Sequence, residues 1–228
     1  MELAEREAEI IRILRRLMHE DFVLVGGYAV SSLAGHRFSV DCDLAVPSHA
    51  DGIKTLLRQE GYSLHKAAEH FDSAYGGRFE SHAKKINSAS VTVDLLIGSL
   101  ASRSTGASWG FDYIKKHSVT SYVGSPAVRC RIPERELLAA MKIHSGRDAD
   151  IRDIVMLIER CDLEKVAAHA KRGDMKLLDG KMAGILDALE DERLTDSLKG
   201  VFRLERDVNM DIKRAKSAML KIKSLLTM

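Results

Sequence analysis

The sequence predicts an α+β protein, with a mixed β-sheet carrying helices on one face and then a C-terminal α-helical bundle. Three observations predict it. Short apolar, β-branched runs alternate with helical periodicity as far as Ile97. One of those runs is broken twice by aspartate, and from Ile132 onward the periodicity is helical alone. A chain of 228 residues that is 45% hydrophobic and 30% charged can bury one good core, or a core and a smaller bundle. The expected division is residues 1–130 and 131–228, with the boundary in the stretch Val128 to Pro133.

The elements follow in order. Ile10, Ile11, Ile13, Leu14, Leu17 and Met18 recur at helical spacing with charges on the other face, which predicts an opening amphipathic helix. A short strand from Phe22 to Val25 is stopped by Gly26 and Gly27, and YAVSSLAG then reads as a helix ended by Gly35. Ser39 to Val46 is a second strand, and HADGIKTLLRQEGY a helix closed by Gly61. Tyr62 to Lys66, Gly77 to His82 and Ser90 to Ile97 supply three more strands, the last rich in β-branched residues. PERELLAAMKIHSG, DADIRDIVMLIERC, DLEKVAAHAKRG and the stretch after Asp191 are expected helices, separated by Gly146, Asp162 and Gly173.

Composition excludes several classes. The formal charge of +2 gives no strong overall field, so attraction to nucleic acid would have to come from local clusters. Cys42, Cys130 and Cys161 are odd in number and contain no CxxC, which excludes a disulfide framework and a zinc ribbon. No apolar run approaches the roughly 18 residues of a membrane span. The first twenty residues interleave acids and bases, unlike a secretory signal. The expectation is a soluble, cytoplasmic protein without a membrane partner. None of the nine histidines has zinc-finger or metalloprotease spacing, and no serine sits in a nucleophile elbow or P-loop.

The strongest chemical signal is VDCDLAV. Alternation along a strand sends Asp41 and Asp43 to one face and Cys42 to the other. Two like charges at that range oppose each other's ionisation, and a divalent cation reverses the cost. Hard oxygen ligands favour Mg2+ or Mn2+. Asp94, in SVTVDLLIG, is an acid within an apolar strand and needs a partner. If its strand lies beside the first, three carboxylates converge and can hold two metal ions for in-line phosphoryl displacement.

Gly26-Gly27, between a strand and a helix, lets backbone approach a phosphate at a helix N-terminus; the plainer reading is a simple turn. Arg37 stands just ahead of the acidic strand, as a phosphate contact or an ordinary surface arginine. For the acidic pair, the alternatives are a solvated strand end or a calcium loop, and the further oxygen ligands of an EF-hand are missing. Asp94 has the alternative of a buried ion pair. The tail DIKRAKSAMLKIKSLL reads as a basic amphipathic helix in the bundle with its basic face in water; phosphate contacts to RNA are the second reading, and no aromatic residue is interleaved for base stacking.

GG, a helix, HRFSVDCDLAV and an isolated acid on a later strand together resemble the nucleotidyltransferase superfamily of DNA polymerase β-like fold, over roughly residues 22–97. The segment ELLAAMKIHSGRDADIRDIVML resembles the downstream motif of its AbiEii toxin-like group and extends the similarity to about residue 158. The resemblance implies that Gly26 and Gly27 contact the triphosphate of an NTP co-substrate. Asp41, Asp43 and Asp94 would bind two Mg2+ or Mn2+ ions, with Asp94 also the acceptor's base. Lys142 would hold a phosphate and Asp153 orient it. On residues alone a snorkelling lysine at the core's edge is the competing reading for Lys142, and capping and solvating a helix start is that for Asp148, Asp150 and Asp153, Asp153 being the strongest functional candidate of the three.

Tyr28 and Ser39 depart from the family, where serine often follows or replaces the second glycine and threonine precedes the acids. The implied reaction moves NMP from NTP to a hydroxyl of a tRNA or other RNA 3′ end, a protein or a small molecule. A toxin role with an antitoxin partner belongs to the same resemblance. The competing reading is a non-catalytic nucleotide- or RNA-binding regulatory module that retains the fold.

Overall fold

The computed structural model describes residues 2–37, 39–69, 74, 76–87 and 89–227. Phe38, inside the motif HRFSVDCDLAV, falls outside them. The chain forms two compact units. The first comprises Met1–Ser32, Phe38–Ala101 and Ser108–Pro133, and the second Leu33–Arg37, Ser102–Ala107 and Glu134–Met228. Two short excursions, 33–37 and 102–107, thus lend residues from the N-terminal part of the chain to the second unit. Among the described residues, no helix is long and apolar enough to cross a membrane.

The first unit is built on a five-stranded mixed sheet of β1 (Val23–Leu24), β2 (Asp41–Val46), β3 (Ser63–Ala68), β4 (Arg78–Ile86) and β5 (Ala89–Ile97), in the order β1-β2-β5-β4-β3. Of its four pairings only β2–β5 is parallel. Cys42, Leu44 and Val46 on β2 and Val91, Val93, Leu95 and Ile97 on β5 are fully buried on one face, as strand alternation requires. The opening helix α1 (Glu2–Arg16) packs on β5 with Ile10, Ile13 and Leu14 sealed from solvent. The helices α2 (Gly26–Ala34) and α3 (Asp51–Gln59) lead into and out of β2.

An ion network fastens α1. Buried Glu9 accepts from Arg12 at 2.6 and 2.8 Å, from Lys84 on β4 at 2.9 Å and from the Tyr62 hydroxyl at 3.2 Å. Arg12 and Arg16 also reach Glu60, just past α3, at 2.6 and 2.7 Å. Burial alone would raise the Glu9 carboxyl, but the hydrogen bonds and charges of Arg12 and Lys84 outweigh it and hold it below the usual carboxylate range.

Residues 98–131 show no element in the sequence patterning, yet they hold five. β6 (Ser99–Ala101) pairs with β7 (Ser108–Gly110), α4 (Phe111–Lys116) follows, and β8 (Ser118–Val123) pairs antiparallel with β9 (Val128–Pro133). Three-residue strands are too short to display a period, and the exposed side of the β8–β9 hairpin is polar. Gly124 in its turn has a φ of +76°, and a Cβ there would lie 2.0 Å from the Ile11 side chain. The hairpin turn therefore seats against α1.

In the second unit, α5 (Arg135–Ser145) is buried without interruption from Leu137 to His144 and contacts α6 (Asp148–Ile158), α7 (Leu163–Ala170) and α8 (Met175–Ala188). Gly146 closes α5 in the left-handed region, and Asp162 and Asp174 cap α7 and α8 through backbone N–H groups. The helix α8 is not among those expected from periodicity; Gly180 and Gly184 dilute its apolar stripe. After α9 (Arg193–Phe202) comes α10 (Asn209–Thr227), the basic tail. Its cations are not simply solvated: Arg214 pairs with Glu159, Lys216 with Glu190, and Lys223 with Asp179 at 2.8 Å.

The excursion 102–107 is clamped to α5. Ser102 and Ser104 donate to the His144 carbonyl at 2.9 and 3.0 Å. His144 Nε2 lies 2.8 Å from the Ala170 carbonyl, so it carries the proton, and Nδ1 accepts from Thr105 at 2.7 Å. Burial keeps this imidazole below its ordinary pKa, and hence neutral.

Glu9→Gln should destabilise the protein by about 1–3 kcal/mol, because it leaves two cations poorly paired at a buried site. The folded carboxyl lies below its unfolded value of about 4.3, so its contribution is complete above that pH and fades as pH falls through the folded value. Urea titrations of both proteins at pH 7 and near pH 3 should show the difference shrinking in acid.

Candidate active site

The parallel register sets Asp41 opposite Thr92, Cys42 opposite Val93 and Asp43 opposite Asp94. Asp41, Asp43 and Asp94 thus share the sheet face opposite the buried Cys42–Val93 row. Ser81 on β4 is the register partner of Asp94 on its other side. This face is only partly covered, with Asp41 exposed and Asp43 and Asp94 half-buried. The strand alternation that hides Cys42 from solvent, raising its thiol pKa mainly by burial, is what brings the acids out.

Asp41 Oδ1 accepts from Thr92 Oγ1 at 2.5 Å. The Asp94 carboxyl is raised above the ordinary aspartate range, first by burial and then by the charge of Asp41, against a lowering hydrogen bond from Ser81. Its Oδ1 is buried and has no hydrogen-bond partner among the described residues. An orphaned buried carboxylate oxygen beside two further carboxylates fits a hard divalent cation, and an all-oxygen set suits Mg2+ or Mn2+.

Gly26 begins α2 with a φ of +64°, and a Cβ there would fall 2.0 Å from Asp43 Oδ2. The glycine turn is therefore seated on the acidic pair: the Val25 N–H donates to the Asp43 carbonyl at 2.9 Å, and the missing side chain makes room for the Asp43 carboxylate. Gly27 follows, buried in the first turn of α2. Tyr28, also buried, donates to the Ser39 carbonyl at 3.3 Å.

Arg37, Lys142 and Asp153 come together in the second unit. Lys142 is almost wholly buried, with Nζ 2.6 Å from Asp150 Oδ1 and 2.8 Å from Asp153 Oδ2. The second of these is an ion pair out of line for a hydrogen bond. Arg37 pairs with the other oxygen of Asp153. Arg147 Nε donates to Asp150 Oδ2 at 2.7 Å. Burial pushes the Asp150 carboxyl up, but Lys142 and Arg147 win and hold it far below the usual range. Asp150 was expected only to cap a helix; it does cap α6, and it is also a fully buried partner of Lys142. An eight-residue spacing across a helix turn carries no periodic signal for that contact.

Thr92 and Ser81 are the neighbours that sequence reasoning passed over. Thr92 stands two positions before Asp94 and shares its face by alternation, so the strand pattern contained it. Ser81 depends on a pairing that no local pattern discloses.

No protein-family model and no curated protein matches the chain. Among solved structures it is similar to an H. pylori protein provisionally named a nucleotidyltransferase, with 16% identity, a TM-score of 0.47, and 100% of this chain and 97% of that one covered. It is also similar to JHP933 from Helicobacter pylori, at 17% identity and a TM-score of 0.47, covering 100% and 94%. A further likeness, at 11% identity and a TM-score of 0.30 over 100% and 93%, is to the CdnE cyclic dinucleotide synthase of Elizabethkingia meningoseptica, solved with GTP and Apcpp. Likenesses this distant carry no weight for activity.

Two outcomes follow from the geometry. Gly26→Ala should cost about 1–2 kcal/mol for a side chain at positive φ and displace the Asp43 carboxylate, read as a lower urea midpoint. Asp94→Asn should have the opposite effect on the metal-free protein. A carboxyl raised in the folded state contributes stability below its unfolded pKa and loses it as pH rises through the folded value. At pH 7 the asparagine variant is expected to gain about 0.5–2 kcal/mol, seen as a higher Tm in EDTA.

Proposed function

We propose that the chain is a metal-dependent nucleotidyltransferase that moves a nucleoside monophosphate from an NTP to a hydroxyl acceptor. One observation carries the reading: Asp43 and Asp94 are register partners on parallel strands, Asp41 shares their face, and a buried oxygen of Asp94 has no hydrogen-bond partner. Carboxylates kept together in this way oppose one another's ionisation, a cost that a bound divalent cation would offset.

In this reading Asp41, Asp43 and Asp94 hold Mg2+ or Mn2+, two ions being expected. The ions supply charge neutralisation at the phosphoryl group and at the attacking oxygen. The acceptor oxygen forms a bond to the α-phosphorus, the bond to the β-phosphate oxygen breaks, and pyrophosphate leaves. Asp94, whose carboxyl already favours its proton more than an ordinary aspartate, takes the hydroxyl's proton. The N-terminus of α2 at Gly26-Gly27 offers backbone N–H groups for phosphate oxygens. Lys142 and Arg37 are proposed phosphate contacts with Asp153 as their orienting acid; to serve so, they would exchange carboxylate oxygens for phosphate oxygens. The acceptor classes are an RNA 3′ end, a protein or a small molecule, and the toxin role with an antitoxin partner rests on sequence resemblance.

Incubation with each α-labelled NTP, Mg2+ or Mn2+ and a pool of cellular RNA and protein should place label on a macromolecule. Asp43→Ala should lower that labelling roughly 1,000-fold, the effect of several kcal/mol of lost transition-state stabilisation. A folded Asp43→Ala variant with full activity would overturn the proposal. Absence of label with wild-type protein under every NTP, and of pyrophosphate release with small hydroxyl compounds, would favour a binding module.

A further inference from the structure

The β8–β9 hairpin has one face turned to the interior of its unit and one turned to water. Val123, Val128, Cys130 and Ile132 are buried on the inner side. On the outer side the register pairs Tyr122 with Arg129 and Thr120 with Arg131, and all four are exposed, Tyr122 to 68%. Cross-strand neighbours of this kind stand about 5 Å apart, and the two arginines about 7 Å apart along their strand. An aromatic ring thus stands across from one guanidinium group and diagonal to the other on the same face of the ribbon.

The charges on this face are unsatisfied. Among the described residues neither Arg129 nor Arg131 has a carboxylate within ion-pair distance; Arg131 makes a single long contact of 3.4 Å to the Ser118 hydroxyl. This contrasts with α10, where Arg214, Lys216 and Lys223 are each paired with an acid. A third cation stands at the hairpin tip, where Arg15 of α1 reaches the Pro126 carbonyl at 3.5 Å. The platform is also held in place. Gly124 sits directly on Ile11, and the inner face of β9 packs against α1 and β1.

We propose that this outer face binds single-stranded nucleic acid, with Tyr122 stacking on a base and Arg129 and Arg131 holding the flanking phosphates. An exposed ring gives sequence-tolerant stacking to any base, and unpaired arginines supply backbone attraction without the need to displace acids. An acidic peptide would satisfy the arginines but need not carry a planar group for the exposed ring, whereas every nucleotide does. The surface requires neither NTP nor metal, so the inference stands apart from the transferase reading.

The test is fluorescence anisotropy with labelled 20-nucleotide single-stranded RNA and DNA of mixed sequence, in EDTA and without NTP, between 50 and 200 mM salt. Wild-type protein and Asp43→Ala should bind alike. Tyr122→Ala should weaken binding about 5- to 150-fold, from about 1–3 kcal/mol of stacking, while Tyr122→Phe should keep most of it. Arg129→Gln with Arg131→Gln should weaken binding and flatten the slope of log K against log salt by about 1.4, from two lost phosphate contacts. A preference for RNA over DNA would assign the 2′-hydroxyl a part, and equal binding would assign recognition to phosphate and base alone. All three positions are exposed, so melting curves should be unchanged. No binding by wild-type protein at micromolar concentrations, or binding that these variants leave intact, would overturn the proposal.

Discussion

A parallel ladder between β2 and β5 sets Asp43 beside Asp94 and leaves Asp41 on the same face, and much of the first unit answers to that placement. Shifting β2 by one residue would bring Cys42 to the open face and drive Asp41 and Asp43 into the core, and shifting β5 would do the same for Val93 and Asp94, burying charge at a strongly destabilising cost. The buried row of Cys42, Leu44, Val91, Val93 and Leu95 therefore does two things at once. It supplies the hydrophobic burial that fixes the register, and through that register it concentrates negative charge where water and cations have access.

How far the sequence disclosed this differs by element. Strand alternation in VDCDLAV was sufficient to place the first two acids, and the apolar surroundings of Asp94 marked it as out of place in a simple core. The adjacency of their strands was written nowhere locally, because a parallel pairing joins segments separated by a helix and two further strands. The short strands and hairpin of residues 98–131 were illegible for another reason: a two-stranded ribbon with a polar face has too few buried positions to impose a pattern. Capping residues were more readable, since Gly146 and Asp162 act within a single turn of chain.

Charge is handled in two different ways in the two units. In the second, Asp150 and Asp153 are fully buried, and Lys142, Arg37 and Arg147 surround them, so the acids are compensated by the protein itself. In the first, Thr92 donates to Asp41 and Ser81 to Asp94, and the charges of His82 and Lys66 do not offset the burial that raises the Asp94 carboxyl. Glu9, on the other side of that sheet, shows that the same unit can neutralise an acid thoroughly with Arg12 and Lys84 where only cohesion is required.

Gly26 ties the fate of two segments together. Its left-handed backbone and the Asp43 carboxylate occupy the space that any side chain would need. The steric half of the prohibition at position 26 lasts only as long as an acid stands at 43, whereas the left-handed backbone disfavours a side chain regardless. In a descendant that traded Asp43 for a smaller residue, half of the objection to a larger residue at 26 would lapse, and the turn would be freer to drift. Across divergent relatives, the backbone alone would still favour glycine at this corner, so it is a larger residue there that would record the loss or displacement of the carboxylate beside it.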